Sequence, residues 1–378
     1  MRKGENSKKQ KKHGNRYFDY NLLFILIFLI CFGLVMLYSS SSYTASTKFG
    51  ASAYYMQRQM KAIAVGLIPF VVFTFWDYRR WKKYALLAYV ACFLLCLAVY
   101  VPGLGVSSHG SARWLSIGPV RFQPSEICKI GLILVYAVIL EKSSGKLSEQ
   151  WSELKLLGLS VPILGVVAYG NLSTAIILAG IVTVMTFVAS PKYRIFLLIG
   201  SGMILGIALF TFTVGYRGDR VTAWLSPETA GDLGYQTMMG LYAIGSGGLF
   251  GKGLGGSLQK MGHVPESQND MIFTIICEEL GLLGGICVIL LYILMIWRMM
   301  IIANNAADMY GSLLVVGVIV HISLQVILNI AVVTNSIPNT GVTLPFISYG
   351  GSSIMFLMAE MGLVFGVARG IRLEDVEA

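Results

Sequence analysis

The sequence predicts an all-α integral membrane protein: a polytopic bundle of about ten transmembrane helices, with a large extracytoplasmic loop between the seventh and the eighth. Three observations predict it. The 378 residues have a mean hydropathy of +0.70, with 56% hydrophobic and only 13% charged residues, about half the charge of a soluble domain. Apolar runs of membrane-crossing length recur along the chain. Glycine is plentiful and proline scarce, 42 against 10, and small residues let helix backbones approach closely in lipid. This composition excludes an ordinary soluble enzyme, a disordered chain and a secreted disulfide scaffold.

A span needs about 20 apolar residues. Runs near 21–38, 58–75, 84–101, 124–141, 154–169, 173–189, 194–214, 271–297, 311–333 and 349–369 are the expected spans. The fifth and sixth are divided only by residues 169–172. The resulting organisation is a basic tail (1–20), one ten-helix membrane domain (21–370, with 215–270 as the large loop) and a short C-terminal tail (371–378).

Basic residues orient the bundle. Arg2, Lys3, Lys8, Lys9, Lys11, Lys12 and Arg16 precede the first span, which marks the N-terminus as cytoplasmic and held near anionic lipid. No folded domain presents these charges, so they are not a nucleic-acid footprint. The run 22–37 exceeds a signal-peptide core, and no clear cleavage site follows. Arg79, Arg80, Lys82, Lys83, Lys142, Lys146, Lys192, Arg194, Arg298, Arg369 and Arg372 then fall on the inner side. An even number of spans returns the C-terminus to the cytoplasm.

The basic residues left on the outer face run against this bias. They are Arg113 and Arg121 in loop 102–123, and Arg217, Arg220, Lys252 and Lys260 in loop 215–270. Either they snorkel at the interface or they meet an anion there, phosphate suiting Arg and Lys. Loop 215–270 is far longer than an ordinary connection. It holds Tyr216, Trp224, Tyr235 and Phe250, so it is expected to fold onto the bundle.

Charged groups inside the apolar runs are costly and mark interiors or cavities. Glu126 and Lys129, spaced i, i+3, can pair on one helix face, as a structural ion pair or in contact with substrate. Glu278, Glu279 and Glu360 lie within spans. Asp270 precedes the eighth span, about 12 Å above Glu278 at helical rise. It is the carboxylate best placed to meet both a lipid headgroup and water. His321 reads as a hydrogen-bonded core histidine. Cys31, Cys92, Cys96, Cys128, Cys277 and Cys287 read as small buried hydrophobes, because no second pair or histidine accompanies Cys92 and Cys96. No metal-ligand spacing is present.

Gly251, Gly253 and Gly256 match a dinucleotide-binding fingerprint in letters only, since no strand precedes them. The neighbouring glycines lack P-loop spacing. Glycine-rich backbone beside Lys252 makes either an anion nest or a tight surface turn. Gly281 and Gly285 read as a packing motif within the bundle.

Four segments carry a resemblance. They are Gly110-Ser-Ala-Arg113-Trp114 with Gln123-Pro124-Ser125-Glu126-x-x-Lys129; Asn171-Leu172-Ser173-Thr174; Tyr235-Gln236 through Gly245-Ser246-Gly247-Gly248-Leu249-Phe250-Gly251-Lys252-Gly253 to Lys260, Pro265-Glu266, Asp270 and Glu278-Glu279-Leu280-Gly281; and Gly341-x-x-Leu344-Pro345-Phe346-x-Ser348-Tyr349-Gly350-Gly351. Over nearly the whole chain after the basic tail, the sequence resembles the shape, elongation, division and sporulation family (FtsW, RodA and SpoVE). The extended tail and residues 343–349 are more similar to the FtsW and SpoVE branch. Two positions depart from the family's pattern: Ala112, commonly basic, and Asn171, where an acid is frequent.

The resemblance implies a peptidoglycan glycosyltransferase that polymerises lipid II with a class B penicillin-binding protein, beside other division or elongation membrane proteins, in the bacterial cytoplasmic membrane. It places the family's essential aspartate on Asp270, in agreement with the placement by depth. It also brings forward Arg113, Glu126, Lys129, Arg217, Arg220, Lys252, Lys260, Glu266 and Ser348 as substrate-binding residues. No cofactor is assigned, and a divalent cation (Mg or Mn) could share the leaving-group charge. Two rival functions remain: a flippase or transporter of a lipid-linked sugar, and a non-catalytic scaffold for division proteins.

Overall fold

The computed structural model describes residues 17–108, 111–117, 120–143, 152–190, 195–197, 199–202, 206 and 215–371. The basic residues before Tyr17, the C-terminal tail after Ile371, Lys146, Lys192, Arg194 and most of the expected seventh span lie outside them.

The helices are α1 (Tyr20–Phe49), α2 (Tyr54–Phe75), α3 (Ala85–Ala98, preceded by a 3-10 turn over Tyr78–Tyr84), α4 (Pro124–Ser143), α5 (Ser152–Gly158), α6 (Val161–Gly170) and α7 (Leu172–Ala189). They continue as α8 (Gly215–Leu225), α9 (Gly231–Gly247), α10 (Ile272–Asn304), α11 (Met309–Val333) and α12 (Gly351–Ala368). Among the described residues, seven helical stretches are long and apolar enough to cross a membrane. The chain is an all-α polytopic membrane protein. Its backbone polar groups close within helices, as a lipid environment demands.

Sequence explains where the helices start and stop. The Asp19 side chain caps α1 by accepting from the Leu22 amide, and Gly50 ends the helix in the left-handed conformation. Asp308 caps α11 through the Gly311 amide at 2.8 Å. The expected fifth span is two helices rather than one. Pro162, in the first turn of α6, has no amide hydrogen to bond back to the Gly158 carbonyl and its ring would clash with that carbonyl in a continuous helix, so α5 ends at Gly158. Asn171, where the family's acid is missing, is extended and caps α7 through the Thr174 amide.

Two segments expected as loops carry secondary structure. Three strands form an antiparallel sheet: β1 (Gly105–Ser108), β2 (Ser111–Ile117) and β3 (Val120–Phe122). Val106 pairs with Trp114, and Leu115 with Phe122. The long loop contains α8 and α9, and it does fold onto the bundle. The Trp224 indole donates to the Asn335 carbonyl at 2.9 Å.

The core centres on α4, α11 and α12, whose residues are mostly buried. α12 lies directly on α2. An ideal Cβ at Gly362 would stand 2.6 Å from the Phe70 carbonyl oxygen, and one at Gly366 2.5 Å from that of Phe73. Glycine spaced by four thus makes the close helix–helix seam here. At the end of the bundle opposite Asp270, ion pairs tie helix ends together: Arg298–Asp19 at 2.7 Å, Arg79–Asp308 at 2.6 Å and Lys82–Glu141 at 2.7 Å.

Candidate active site

The site is built around a break in α10. Gly281 interrupts the helix with φ 72° and ψ −171°. This frees carbonyls before it and amides after it, and the glycine-rich turn after α9 takes them up. The amides of Lys252 and Gly253 donate to the carbonyls of Glu278 (3.0 Å) and Glu279 (2.9 Å). The amides of Leu282 and Leu283 donate to the carbonyls of Gly248 (2.9 Å) and Leu249 (3.2 Å). A Cβ at Gly251 would lie 2.2 Å from the Glu279 carbonyl oxygen, and one at Gly281 2.4 Å from the Gly251 nitrogen. Of the two sequence readings, the structure has the tight turn: its amides are spent on α10, not on an anion. Gly281 is likewise a break rather than a helix-packing position.

The docked turn delivers its lysine to a buried carboxylate. Lys252 Nζ lies 2.6 Å from Glu278 Oε1 and 2.8 Å from Ser246 Oγ. Ser257 Oγ donates to the other oxygen of Glu278. One residue on, Lys260 Nζ lies 2.7 Å from Glu279 Oε1, and Ser39 of α1 donates to the same carboxylate at 2.7 Å. Glu278 and Glu279 are fully buried. Such charges persist only with partners, and the two lysines supply them. Lys252 and Lys260, expected at a leaving group, are therefore counter-ions to α10.

Asp270 sits just before α10, buried to 8% exposure. Its backbone is held by Asn329 of α11, whose Nδ2 donates to the Asp270 carbonyl at 2.7 Å and to the Val342 carbonyl at 2.7 Å. Of the carboxylate, Oδ1 has no hydrogen-bond partner among the described residues, while the backbone amides of Asp270 itself and of Met271 favour the ionised form. Burial pushes its pKa up to about 7, the Glu266 charge adds to the rise, and Arg220 opposes it. Arg220 reaches this region from α8 and donates to the Asn339 carbonyl at 3.1 Å. Glu266 is exposed, has left-handed backbone (φ 53°) and accepts from Asn269. Non-glycine residues in that region cluster at functional sites.

Segment 339–349 forms the floor. The Tyr349 amide donates to the Gln268 carbonyl at 2.9 Å, and Gln59 of α2 donates to the Ser348 carbonyl at 3.3 Å. The Ser348 hydroxyl accepts from the Leu344 amide at 2.8 Å, so it closes a turn and stands 5% exposed. Deeper in the bundle, Lys129 meets Glu126 at 2.7 Å, both buried, as their spacing foretold. His321 Nδ1 pairs with Glu360 Oε2 at 2.7 Å. Arg113 on β2 donates to the Gly170 carbonyl at 2.9 Å and lines a cleft of about 30 Å³ with Cys96, Gln123 and Ser125. Arg121 is exposed. Arg217 is on α8, and its side chain lies outside the described residues.

The structure thus brings Arg220, Glu266 and Asp270 together over segment 339–349. It sets Lys252 and Lys260 on α10 and leaves Arg113 at a separate cleft. Sequence reading missed Ser39, Gln59, Ser246, Ser257, Gln325 and Asn329. Gln325 and Asn329 had a legible signal: with His321 they repeat at intervals of four in an apolar run, so they share one helix face.

A buried carboxylate tuned toward neutrality, with the Arg220 charge acting on it, at one end of a bundle of membrane-length helices, defines a class: a polytopic membrane protein with an ionisable site at the end of its bundle. The chain belongs to the FtsW/RodA/SpoVE family of cell cycle proteins, whose model matches residues 20–372. It is 38% identical to stage V sporulation protein E of Bacillus subtilis (strain 168) over 354 residues, covering 93% of this chain and 97% of that one. It is 35% identical to a probable peptidoglycan glycosyltransferase FtsW of Geobacter sp. (strain M18), covering 94% and 98%. Among solved structures, it matches a chain from a study of how a peptidoglycan synthase complex coordinates polymerization and crosslinking (TM-score 0.79, 27% identity, 94% and 99% coverage). It also matches the rod shape determining protein RodA of Thermus thermophilus (TM-score 0.70, 27% identity, 94% and 98% coverage).

Proposed function

We propose that this chain is a peptidoglycan glycosyltransferase that polymerises lipid II at the outer face of the bacterial cytoplasmic membrane, in division or elongation, with both termini in the cytoplasm. The carrying observation is Asp270: a buried carboxylate with a partnerless oxygen and a pKa raised to about 7.

Lipid II carries its sugar α-linked to undecaprenyl pyrophosphate. The GlcNAc 4-hydroxyl of one molecule attacks MurNAc C1 of the other, the C1–O bond to pyrophosphate breaks, and the β-1,4 link forms with inversion. A single displacement needs a base for the hydroxyl proton and positive charge for the departing pyrophosphate. Asp270 Oδ1 is the base, and its raised pKa suits proton transfer near neutral pH. Arg220 faces the leaving group, with Arg217 on the same helix. Lys252 and Lys260 act through Glu278 and Glu279 by holding the docked turn. Glu126 and Lys129 hold α4 against the floor of the site, Ser348 shapes that floor, and Glu266 borders the base. Arg113 is set to meet an anionic part of the substrate away from the reacting atoms.

No three His, Cys, Asp or Glu side chains converge on a metal position among the described residues. Mg²⁺ needs only one or two carboxylates when substrate phosphates complete its shell, and Glu266, exposed beside the base, would be the carboxylate to share it, leaving Asp270 Oδ1 for the proton. An Mg or Mn ion held there would neutralise pyrophosphate charge.

The partner is a class B penicillin-binding protein, which would crosslink the strands, beside other division or elongation membrane proteins. Purified protein, with and without that partner, given lipid II and run on a gel beside Asp270→Ala, tests the reading. Polymer from wild type alone supports it. A flippase would instead move lipid II across vesicles without Asp270-dependent polymer, and a scaffold would tolerate loss of Asp270.

A further inference from the structure

We propose that Asn329 and Gln325 are positioning residues for Asp270, an amide ladder on one face of α11 that sets the base in place and ties it to the Glu126–Lys129 pair. The proposal rests on the role given to Asp270 above and extends it to residues outside that site.

His321, Gln325 and Asn329 are spaced by four and are 1%, 2% and 0% exposed. Asn329 Nδ2 makes both of its bonds to carbonyls, those of Asp270 and Val342. The orientation of this amide is therefore determined: reversing it would set an oxygen against two carbonyl oxygens. One turn deeper, Gln325 Nε2 donates to the Thr343 carbonyl at 2.9 Å, and Gln325 Oε1 accepts from Lys129 Nζ at 3.5 Å. Adjacent residues of one extended segment, Val342 and Thr343, are thus held by adjacent rungs. Gly341, just before them, lies under the base: an ideal Cβ there would be 3.8 Å from Asp270 Oδ2.

The base needs this support because its carboxylate meets only local backbone amides, its own and that of Met271. With Oδ1 unpartnered, the carboxylate is placed chiefly by its backbone, and the Asp270 carbonyl is tied down from α11 by Asn329. A catalytic group displaced by about 1 Å costs on the order of 10²-fold in rate. The geometry points to Asn329 as the residue that prevents this displacement.

The test uses full-length protein in detergent with its partner. Initial rates on lipid II are measured across concentration and pH for wild type, Asn329→Leu, Asn329→Ser and Gln325→Leu. Asn329→Leu keeps the volume and removes both donors. It is expected to lower kcat about 10²-fold, with KM near wild type and the pH midpoint moved. Asn329→Ser, which keeps one donor, should recover part of the rate, and Gln325→Leu should lose less. A second readout needs no lipid II: the pH midpoint for labelling Asp270 with dicyclohexylcarbodiimide, followed by peptide mass spectrometry, should move in Asn329→Leu. If Asn329→Leu lowers only yield or melting temperature, with kcat per folded molecule and the labelling midpoint unchanged, the residue is merely structural and the proposal is overturned. If wild type makes no polymer yet the midpoint moves, the ladder stands and the glycosyltransferase reading fails.

Discussion

Lys260 and Glu279 form an ion pair at 2.7 Å with side chains only 6% and 0% exposed, although they belong to different segments of the chain. The pair joins the long loop between α9 and α10 to the broken helix α10, and Ser39 of α1 completes it. Removing one partner of such a pair strands a buried charge.

Lys260→Met should therefore destabilise the protein by about 3–5 kcal/mol, while Lys260→Met with Glu279→Gln should recover much of the loss. Melting temperature and monodisperse yield in detergent measure both. Equal loss in single and double variants would mean that the lysine matters for its packing rather than its charge.

Asp270→Asn should lower polymerisation by the 10²–10⁴-fold typical of a lost general base. Wild-type activity should rise as pH increases through about 7, where burial has moved the Asp270 carboxyl, because only the ionised form accepts a proton. The stability sign is opposite. The folded state keeps the proton above the carboxyl's ordinary range, so rising pH through that window costs folded-state stability. Asp270→Asn should remove that cost and melt higher than wild type at pH 8. A flat rate profile would place the base elsewhere.

Gly281→Ala should be severely destabilising. The residue has φ +72° and its Cβ would collide with backbone of the docked turn, whereas Gly50, at φ +70°, has open space around its Cβ. Gly50→Ala should cost only the left-handed penalty of about 1–2 kcal/mol. Comparing the two by thermal unfolding separates conformational strain from the loss of turn docking.

Cys96 and Cys128, on α3 and α4, have sulfurs 3.2 Å apart. A diazene oxidant such as diamide should join them, each thiol losing its hydrogen as the diazene becomes a hydrazine, in a protein whose exposed Cys31 and Cys287 are replaced by serine. Intact mass and protection from alkylation report the bond. Unchanged thiol reactivity would contradict the packing of α3 on α4.

Much of the fold was legible because membrane insertion imposes a local rule: a span must be apolar for its whole length. The position of Asp270 at the start of a span was legible from the apolar run that follows it, and the Glu126–Lys129 pair by spacing. The strands at 105–122 were not, being short and set inside an apparent loop. The split between α5 and α6 was missed because the hydropathy of the run outweighed the backbone constraint of Pro162. The lysines of the outer loop were read as facing an anion because their carboxylate partners lie 26 and 19 residues away in sequence, beyond any helical periodicity.

Sequence alone determined the membrane class, the family resemblance, the carboxylate just before α10 and the Glu126–Lys129 ion pair within a helical turn. These depend on composition, motif and local geometry. Only the tertiary structure decided that Gly281 breaks a helix while Gly362 and Gly366 pack one, that Lys252 and Lys260 neutralise Glu278 and Glu279, and that Asn329 holds Asp270 from 59 residues away. The physical reason is that glycines spaced by four read the same in a seam and at a break. A buried charge or amide must find a partner, but the chain's path through space settles which one.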